Sequence, residues 1–167
     1  DHIHFMRLPF YEIGKTQRSS IGEEDIRLTM ELLQQVKPHQ VFAAGDFADP
    51  HGTHQRCFDV ILKALKRLQK TEKWVEDCWL WMYRGAWHEF ETHEIEMAVP
   101  LSPQEVEKKR LAIFKHQSQK DRPVFPGDDA REFWVRAEDR TSETAKAYDR
   151  LGLAEYEAME AFVRYRY

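Results

Sequence analysis

Residues 41–65 constrain the fold of this chain more than any other stretch. They open with the apolar run Val-Phe-Ala-Ala at 41–44, which predicts a buried strand. A turn-rich loop follows at 45–50, and from about Thr53 apolar residues recur at spacings of three and four, as on one face of a helix. Because a strand that leads through a loop into a helix is the repeating unit of α/β proteins, the stretch predicts that class.

Two histidines, His51 and His54, lie between this strand and this helix. In α/β proteins, ligands bind at the loop that leaves the carboxyl end of a strand, and two imidazoles three residues apart can face the same way. Such a pair can serve one metal ion, or one metal ion and one reacting group. Asp46 and Asp49 can orient imidazoles by accepting their ring N–H groups. The competing interpretation, more common for an isolated His-x-x-His, is a pair of histidines that cap or pack a helix start.

The rest of the chain continues the alternation of strands and helices. Strands are predicted at 3–10, 78–83 and 94–101, and further helices at about 21–37, 103–119, 130–151 and 153–167. Capping boxes are predicted at Ser20 with Glu23 and at Ser102 with Glu105, because each pair has the serine and the later glutamate that satisfy the first amides of a helix. The order predicts a layered α/β fold with a mostly parallel, Rossmann-like sheet flanked by helices.

Composition and charge exclude several classes of protein. The net charge of −4 and the pI near 6.1 argue against a nucleic-acid-binding surface, which needs a clustered basic face. No apolar run of about 18 residues occurs, so no membrane span is expected, and no signal peptide is visible. Cys57 and Cys78 match neither a metal nor a disulfide pattern. They are expected to be core thiols of a reducing compartment, which favours a cytoplasmic protein.

A second group of histidines and acids lies at 87–94. His88 and His93 are five residues apart, so on a helix they would point about 140° from each other and would not form a His-Glu-x-x-His metal motif. The favoured interpretation is a surface loop with solvated charges. The alternative is that His88 or His93 lies at the edge of a site.

The motifs resemble a known family of enzymes. The segment Ala-Gly-Asp-Phe-Ala-Asp-Pro-His-Gly-Thr-His at 44–54, with His-Gln-Ser-Gln at 116–119 after a lysine-rich helix, resembles the C-terminal half of LmbE-like (PIG-L type) zinc-dependent N-acetylsugar deacetylases. In some bacterial proteins such a domain is fused behind a glucosamine-6-phosphate deaminase-like domain, and the resemblance to that subgroup covers nearly the whole chain. It implies that residues 1–167 are one LmbE-like domain fragment with an incomplete Rossmann-like sheet.

The resemblance also implies roles for individual residues. In the family, a His-Pro-Asp-Asp motif after the first strand supplies two zinc ligands and the general base, and a later His-x-x-His supplies the third ligand through its second histidine. His54 would then be a zinc ligand, and His51 would stabilise the developing oxyanion. Asp49 is placed with His51 among the catalytic residues. Gly52 and Thr53 stand where the family usually has Pro-Asp or Pro-Asn.

One half of the family's site is missing from this sequence. No His-Pro-Asp-Asp occurs in the 167 residues, so the first strand and its metal-binding motif are expected upstream of Asp1. The complete domain would use zinc to remove acetyl groups from N-acetylglucosamine-type sugars. The 167 residues alone are expected to bind zinc weakly or not at all, and not to hydrolyse amides.

Two further hypotheses stay open for this chain. In the first, an amino-sugar phosphate deaminase and isomerase activity would reside in a domain outside these residues, with this part a non-catalytic binding or assembly module. In the second, this domain would be a degenerate deacetylase kept for assembly or for sensing amino sugars. In either case the expected partner is a small-molecule amino sugar, with no nucleic acid and no membrane. A homo-oligomer is also expected to be accessible, because an incomplete domain exposes a sheet edge and apolar surface.

Overall fold

The computed structural model describes residues 2–11, 20–47, 52–85, 88–117, 131–153 and 155–167. The described helices are α1 (Glu23–Val36), α2 (Thr53–Leu68), α3 (Pro103–Phe114) and α4 (Phe133–Asp149), with a short 3₁₀ helix at Lys73–Asp77. The strands are β1 (Gln40–Ala44), β2 (Trp79–Tyr83), β3 (Met97–Leu101) and β4 (Ala158–Tyr165). None of the described helices combines the length and the apolar character needed to cross a membrane.

The four strands form one mixed sheet in the order β1-β2-β4-β3. β3 runs antiparallel to β4, with Met97 opposite Phe162 and Leu101 opposite Ala158. The predicted α/β class, a sheet flanked by helices, is therefore confirmed. The antiparallel pairing of β3 with β4 is the feature that the predicted, mostly parallel sheet did not include.

The chain divides into two compact units. Unit 1 consists of Asp1–Trp81 together with Arg164–Tyr167, and unit 2 consists of Met82–Val163. In unit 1, α2 packs against both α1 and β1. The buried face of α2 carries the apolar stripe that the sequence predicts, and each large side chain buried there contributes about 1.5–3 kcal/mol to stability. The buried residues of α2 are Phe58, Val60, Ala64, Leu65 and Leu68.

Helix α1 begins differently from the sequence prediction. The predicted capping box at Ser20 with Glu23 is wrong, because the N-cap is Gly22 and the helix begins at Glu23. The Asp25 carboxylate reaches back to accept hydrogen bonds from Gly22 N at 2.8 Å and from Phe10 N at 3.0 Å. Asp25 is 1% exposed. Its carboxylate therefore caps the helix and also fixes the preceding segment to it.

In unit 2, α3 packs against α4 and against β3. The second predicted capping box is confirmed. Glu105 N donates to Ser102 Oγ at 3.3 Å, and Ser102 N donates to Glu105 Oε2 at 2.8 Å. The Glu105 pKa is lowered by hydrogen bonds from the Ser102 backbone and side chain. Pro103 follows at the first helical position, where its missing N–H costs nothing.

Three other predictions from the sequence are wrong. The strand predicted at 3–10 is not present, since the described residues 2–11 have no regular secondary structure. The tail forms β4 instead of a helix; Ala158, Met159 and Ala161 are all buried, so the strand lacks the alternation that marks a half-exposed strand. Cys78 is buried as expected, but Cys57 is exposed because it lies off the buried stripe of α2.

Candidate functional site

The structure describes only some of the residues that the sequence predicts to form a site. His51 and Asp49 lie outside the described residues. His54 is the second residue of α2 and is exposed. The predicted metal ligand is therefore at the amino-terminal turn of the helix and accessible to solvent.

Phe58 of α2 contacts the segment that leaves β1. The Phe47 ring packs edge-on against the Phe58 ring, with centroids 5.1 Å apart and an interplanar angle of 66°. His54 and Phe58 are four residues apart in the helix, so they share one face. The contact therefore places Phe47 beside Phe58, one helical turn along α2 from His54.

Asp46 differs from the other buried carboxylate of unit 1. It is 0% exposed, and neither carboxylate oxygen has a hydrogen-bond partner in the part of the chain that the structure describes. Asp25, by contrast, accepts two backbone N–H groups. Burying a carboxyl group without a hydrogen-bond partner is costly, so Asp46 stands apart from the other buried acids of the described residues.

The described residues contain no cluster of three or more histidine, cysteine, aspartate or glutamate side chains arranged to hold a metal ion. Asp46 and His54 are side chains of types that can bind a metal ion. A carboxylate oxygen and an imidazole nitrogen are both ordinary zinc ligands.

Unit 2 holds a cleft of about 390 Å³ that the sequence does not predict. It is bounded by residues of α4 and of the segment that precedes β3. Its lining residues are His88, Glu89, Phe90, Thr92, Ile95, Arg131, Arg136, Asp139, Arg140, Glu143, Thr144 and Ala147. The wall thus carries three guanidinium groups, three carboxylates and one histidine.

A buried ion-pair network holds one wall of this cleft. The Arg140 side chain is 8% exposed and pairs with Glu89 and, at 2.9 Å, with Glu160. Thr144 Oγ1 lies 3.1 Å from Glu89 Oε2, to which it donates. Lys109 of α3 also pairs with Glu160. Because both carboxylates have a cation and hydrogen-bond donors, this network can stay charged while largely buried.

The Glu160 carboxyl shows the electrostatic balance of this network. Burial raises its pKa, but the charges of Lys109 and Arg140 and their hydrogen bonds together outweigh burial. Its pKa therefore lies below its ordinary value, and Glu160 is ionised at neutral pH.

Two arginines of unit 2 each place a guanidinium group over an aromatic ring. The Arg84 guanidinium lies 4.6 Å from the centroid of the Phe90 ring. Arg110 of α3 donates to Glu138 of α4 at 2.6 and 2.8 Å and lies 4.9 Å from the centroid of the Trp134 ring. The contacts of Arg110 fix α4 against α3 and so fix the side chains that α4 presents to the cleft.

The sequence does not predict this cleft, because the pattern at 87–94 is that of a surface loop with solvated charges. In the structure, Glu89 of this segment pairs with the buried Arg140. His88 lines the cleft from an exposed position, and its role at the edge of a site stays a prediction. The available signal was in α4, where Arg136 and Arg140 stand four residues apart on one face of the helix.

No protein-family model matches the chain, whereas comparison with known proteins gives similarities in sequence and in structure. A putative glucosamine-6-phosphate deaminase-like protein from Bacteroides thetaiotaomicron is 56% identical over 167 residues, which make up 99% of this chain and 25% of that protein. The chain thus spans about a quarter of the length of this relative. The predicted similarity to a glucosamine-6-phosphate deaminase-like protein is thus found over part of that protein, while the LmbE-like assignment and zinc stay predictions.

A solved structure supports the fold alone. The crystal structure of the conserved protein TT1542 from Thermus thermophilus is similar with a TM-score of 0.58 and 21% sequence identity. The similarity covers 85% of this chain and 58% of that one. At this identity it indicates a shared α/β architecture and carries no information on activity.

Proposed function

We propose that this chain is an amino-sugar-binding segment of a longer glucosamine-6-phosphate deaminase-like protein, in which other parts of the polypeptide carry out deamination. The relative that is 56% identical over the whole chain supports this, because its name refers to an amino-sugar phosphate. The cleft of unit 2 is the proposed binding site. Its volume of about 390 Å³ falls in the range of small-molecule sites.

The charges of the cleft carry the proposal. A hexosamine phosphate is a zwitterion, with an ammonium group, a phosphate group and several hydroxyls. The cleft offers matching groups, with guanidinium from Arg131 and Arg136 for the phosphate and carboxylates from Asp139 and Glu143 for the ammonium. Because Arg136 is only 7% exposed, its position is fixed before a ligand arrives, which reduces the entropy lost on binding.

A set of related ligands tests this proposal. Isothermal titration calorimetry would compare glucosamine 6-phosphate, glucose 6-phosphate and N-acetylglucosamine 6-phosphate. The first should bind most tightly, because the second lacks the ammonium group and the third has it acylated. Equal affinity for all three, or no saturable binding of any, would contradict the proposal.

A pair of matched variants locates the binding. Arg131, with a side chain 53% exposed and paired with Asp139, lines the cleft. Arg27, 52% exposed and paired with Glu24 and Glu31, lies on α1 and does not line it. Arg131→Met should weaken glucosamine 6-phosphate binding about tenfold, the loss expected for one charged contact to the phosphate, and Arg27→Met should leave it unchanged. Equal loss in both would assign the effect to net charge.

A second candidate function is metal-dependent deacetylation, favoured by the position of Asp46 and His54. Bound zinc would supply a Lewis acid and a water of lowered pKa. His54 would hold the ion. His51 and Asp49, which are expected to be catalytic, lie outside the described residues. Deacetylation of N-acetylglucosamine derivatives by a polypeptide that continues upstream of Asp1, with and without His54→Ala, tests this function. Equal activity with and without the substitution would exclude it.

A further inference from the structure

Two of the three carboxylates in the wall of the unit 2 cleft have partners that a ligand would not readily displace. Glu89 accepts from Phe90 N at 2.9 Å through Oε1, and its Oε2 pairs with Arg140, whose side chain is 8% exposed. Glu143 pairs at 2.7 Å with Lys146, which does not line the cleft. A ligand that binds the guanidinium groups of the wall therefore leaves both of these carboxylates with their partners.

The third carboxylate, Asp139, pairs with a guanidinium group that itself lines the cleft. Its partner is Arg131, and the two side chains are 51% and 53% exposed, so a ligand can reach either of them. Asp139 also shares its face of α4 with Arg136, three residues earlier, which lines the cleft as well. A phosphate group that binds Arg131 therefore arrives beside the Asp139 carboxylate.

The other charges of the ligand decide what binding at Arg131 does to Asp139. A phosphate without an ammonium group competes with Asp139 for one guanidinium and places two like charges side by side, which is unfavourable. A ligand that also carries an ammonium group gives Asp139 a new partner, so both members of the pair exchange one opposite charge for another. Discrimination of this kind comes from penalising the wrong ligand as well as from binding the right one.

We propose that the Arg131–Asp139 pair makes the cleft select small phosphates that carry an ammonium group over phosphates that do not. This inference rests on the proposed function, because it concerns the same cleft. It goes further in naming Asp139, and not Glu143, as the carboxylate that determines specificity, and in giving it a second action, which is to weaken the binding of simple anions.

The ratio of two affinities tests the role of Asp139. Calorimetric titration with glucosamine 6-phosphate and glucose 6-phosphate would be done on the unmodified chain and on Asp139→Asn. The variant should bind the first ligand more weakly and the second more tightly, so that the preference falls about tenfold. Glu143→Gln should reduce the preference less. Asp149→Asn is the matched control, because Asp149 is an exposed aspartate at the end of α4 that does not line the cleft.

Inorganic phosphate tests the competition without a sugar. Asp139→Asn should bind it about two- to fivefold more tightly than the unmodified chain, the range expected when an exposed ion pair no longer competes. Asp149→Asn should show no such gain. Equal phosphate affinity in Asp139→Asn and the unmodified chain would overturn the proposal, because Asp139 would then not oppose simple anions.

The sugar titrations separate a failure of this inference from a failure of the proposed function. A preference for glucosamine 6-phosphate that survives Asp139→Asn, or that is lost equally in Asp149→Asn, would overturn the role of Asp139 and leave the proposed function standing. Equal affinity of the unmodified chain for the two sugars, or no saturable binding of either, would overturn both.

Discussion

Arg140 is a charged side chain in the place of a core residue. It is 8% exposed, yet it stays charged because Glu89 and Glu160 pair with it. Charges in such a network are held at a fixed geometry by the surrounding packing. At the scale of single residues, the cleft of unit 2 therefore depends on this arginine more than on the exposed pairs around it.

Removing Arg140 is expected to be strongly destabilising. Arg140→Met leaves two partly buried carboxylates with fewer counter-charges, and breaking a buried pair in this way costs about 3–5 kcal/mol. Arg131→Met is the control, because its pair with Asp139 is more than half exposed and such pairs contribute about 0–1 kcal/mol. Urea unfolding measures both. Similar losses in the two variants would mean that the network does not stabilise the fold.

The pH dependence of stability should reflect Glu160. Its pKa in the folded protein lies below the ordinary value of 4.5, since Lys109 and Arg140 outweigh the effect of burial. A carboxylate of this kind contributes stability above its unfolded pKa, and that contribution is lost as the pH falls through the folded pKa. The free energy of unfolding should therefore fall less steeply in acid for Glu160→Gln than for the unmodified protein.

A surface variant controls the Glu160 experiment. Glu91 is exposed, so Glu91→Gln removes one carboxylate without touching the network. If it flattened the acid limb of the stability curve as much as Glu160→Gln, the effect would come from overall charge. Chemical denaturation at a series of pH values below about 5 distinguishes the two.

At the scale of elements, α1 is fixed by a side chain that the sequence pattern did not single out. Asp25 accepts from Gly22 N and Phe10 N, so it both begins the helix and anchors the segment before it. The predicted capping serine, Ser20, lies before the observed N-cap, because Asp25 satisfies the Gly22 amide from inside the helix. A capping box is a short-range signal, and here a longer-range hydrogen bond also decides the helix start.

Asp25→Ala should loosen this anchor. It removes two hydrogen bonds to a charged acceptor and leaves two backbone donors unsatisfied, at a cost of about 2–4 kcal/mol. Amide hydrogen exchange should show lost protection at Phe10 and Gly22. Ser102→Ala, which removes the cap of α3, should cost only about 1 kcal/mol. Unchanged protection of the Phe10 amide in Asp25→Ala would contradict this account of α1.

Helix α2, whose buried face is clearly periodic, was predictable from the sequence, whereas β4 was not. The stripe on α2 is periodic because one side packs on α1 and β1, and the predicted helix matches the observed Thr53–Leu68 closely. β4 has a neighbouring strand on each side, and both of its faces are partly covered. Its apolar residues therefore do not alternate with polar ones, and the pattern fits a helix equally well. The cleft was not predicted for a related reason. Charged residues that recur on a buried face of a helix do not give the apolar pattern by which a core is recognised.

At the scale of the whole molecule, the chain is similar to about a quarter of a longer protein. His54 could be predicted as a site residue because its motif is contiguous in the sequence. The cleft forms only where α4 and the segment at 88–95 come together in the fold. The sequence therefore did not predict the pairing of Glu89 with Arg140, which are 51 residues apart.

The proposed binding of an amino sugar is tested most directly by amide hydrogen exchange of the chain with and without saturating glucosamine 6-phosphate. Slower exchange is expected in residues 88–95 and 131–147, which contain the cleft, with no change in α1. Unchanged exchange in both cleft segments, or protection confined to the region of Asp46 and His54, would contradict the proposal.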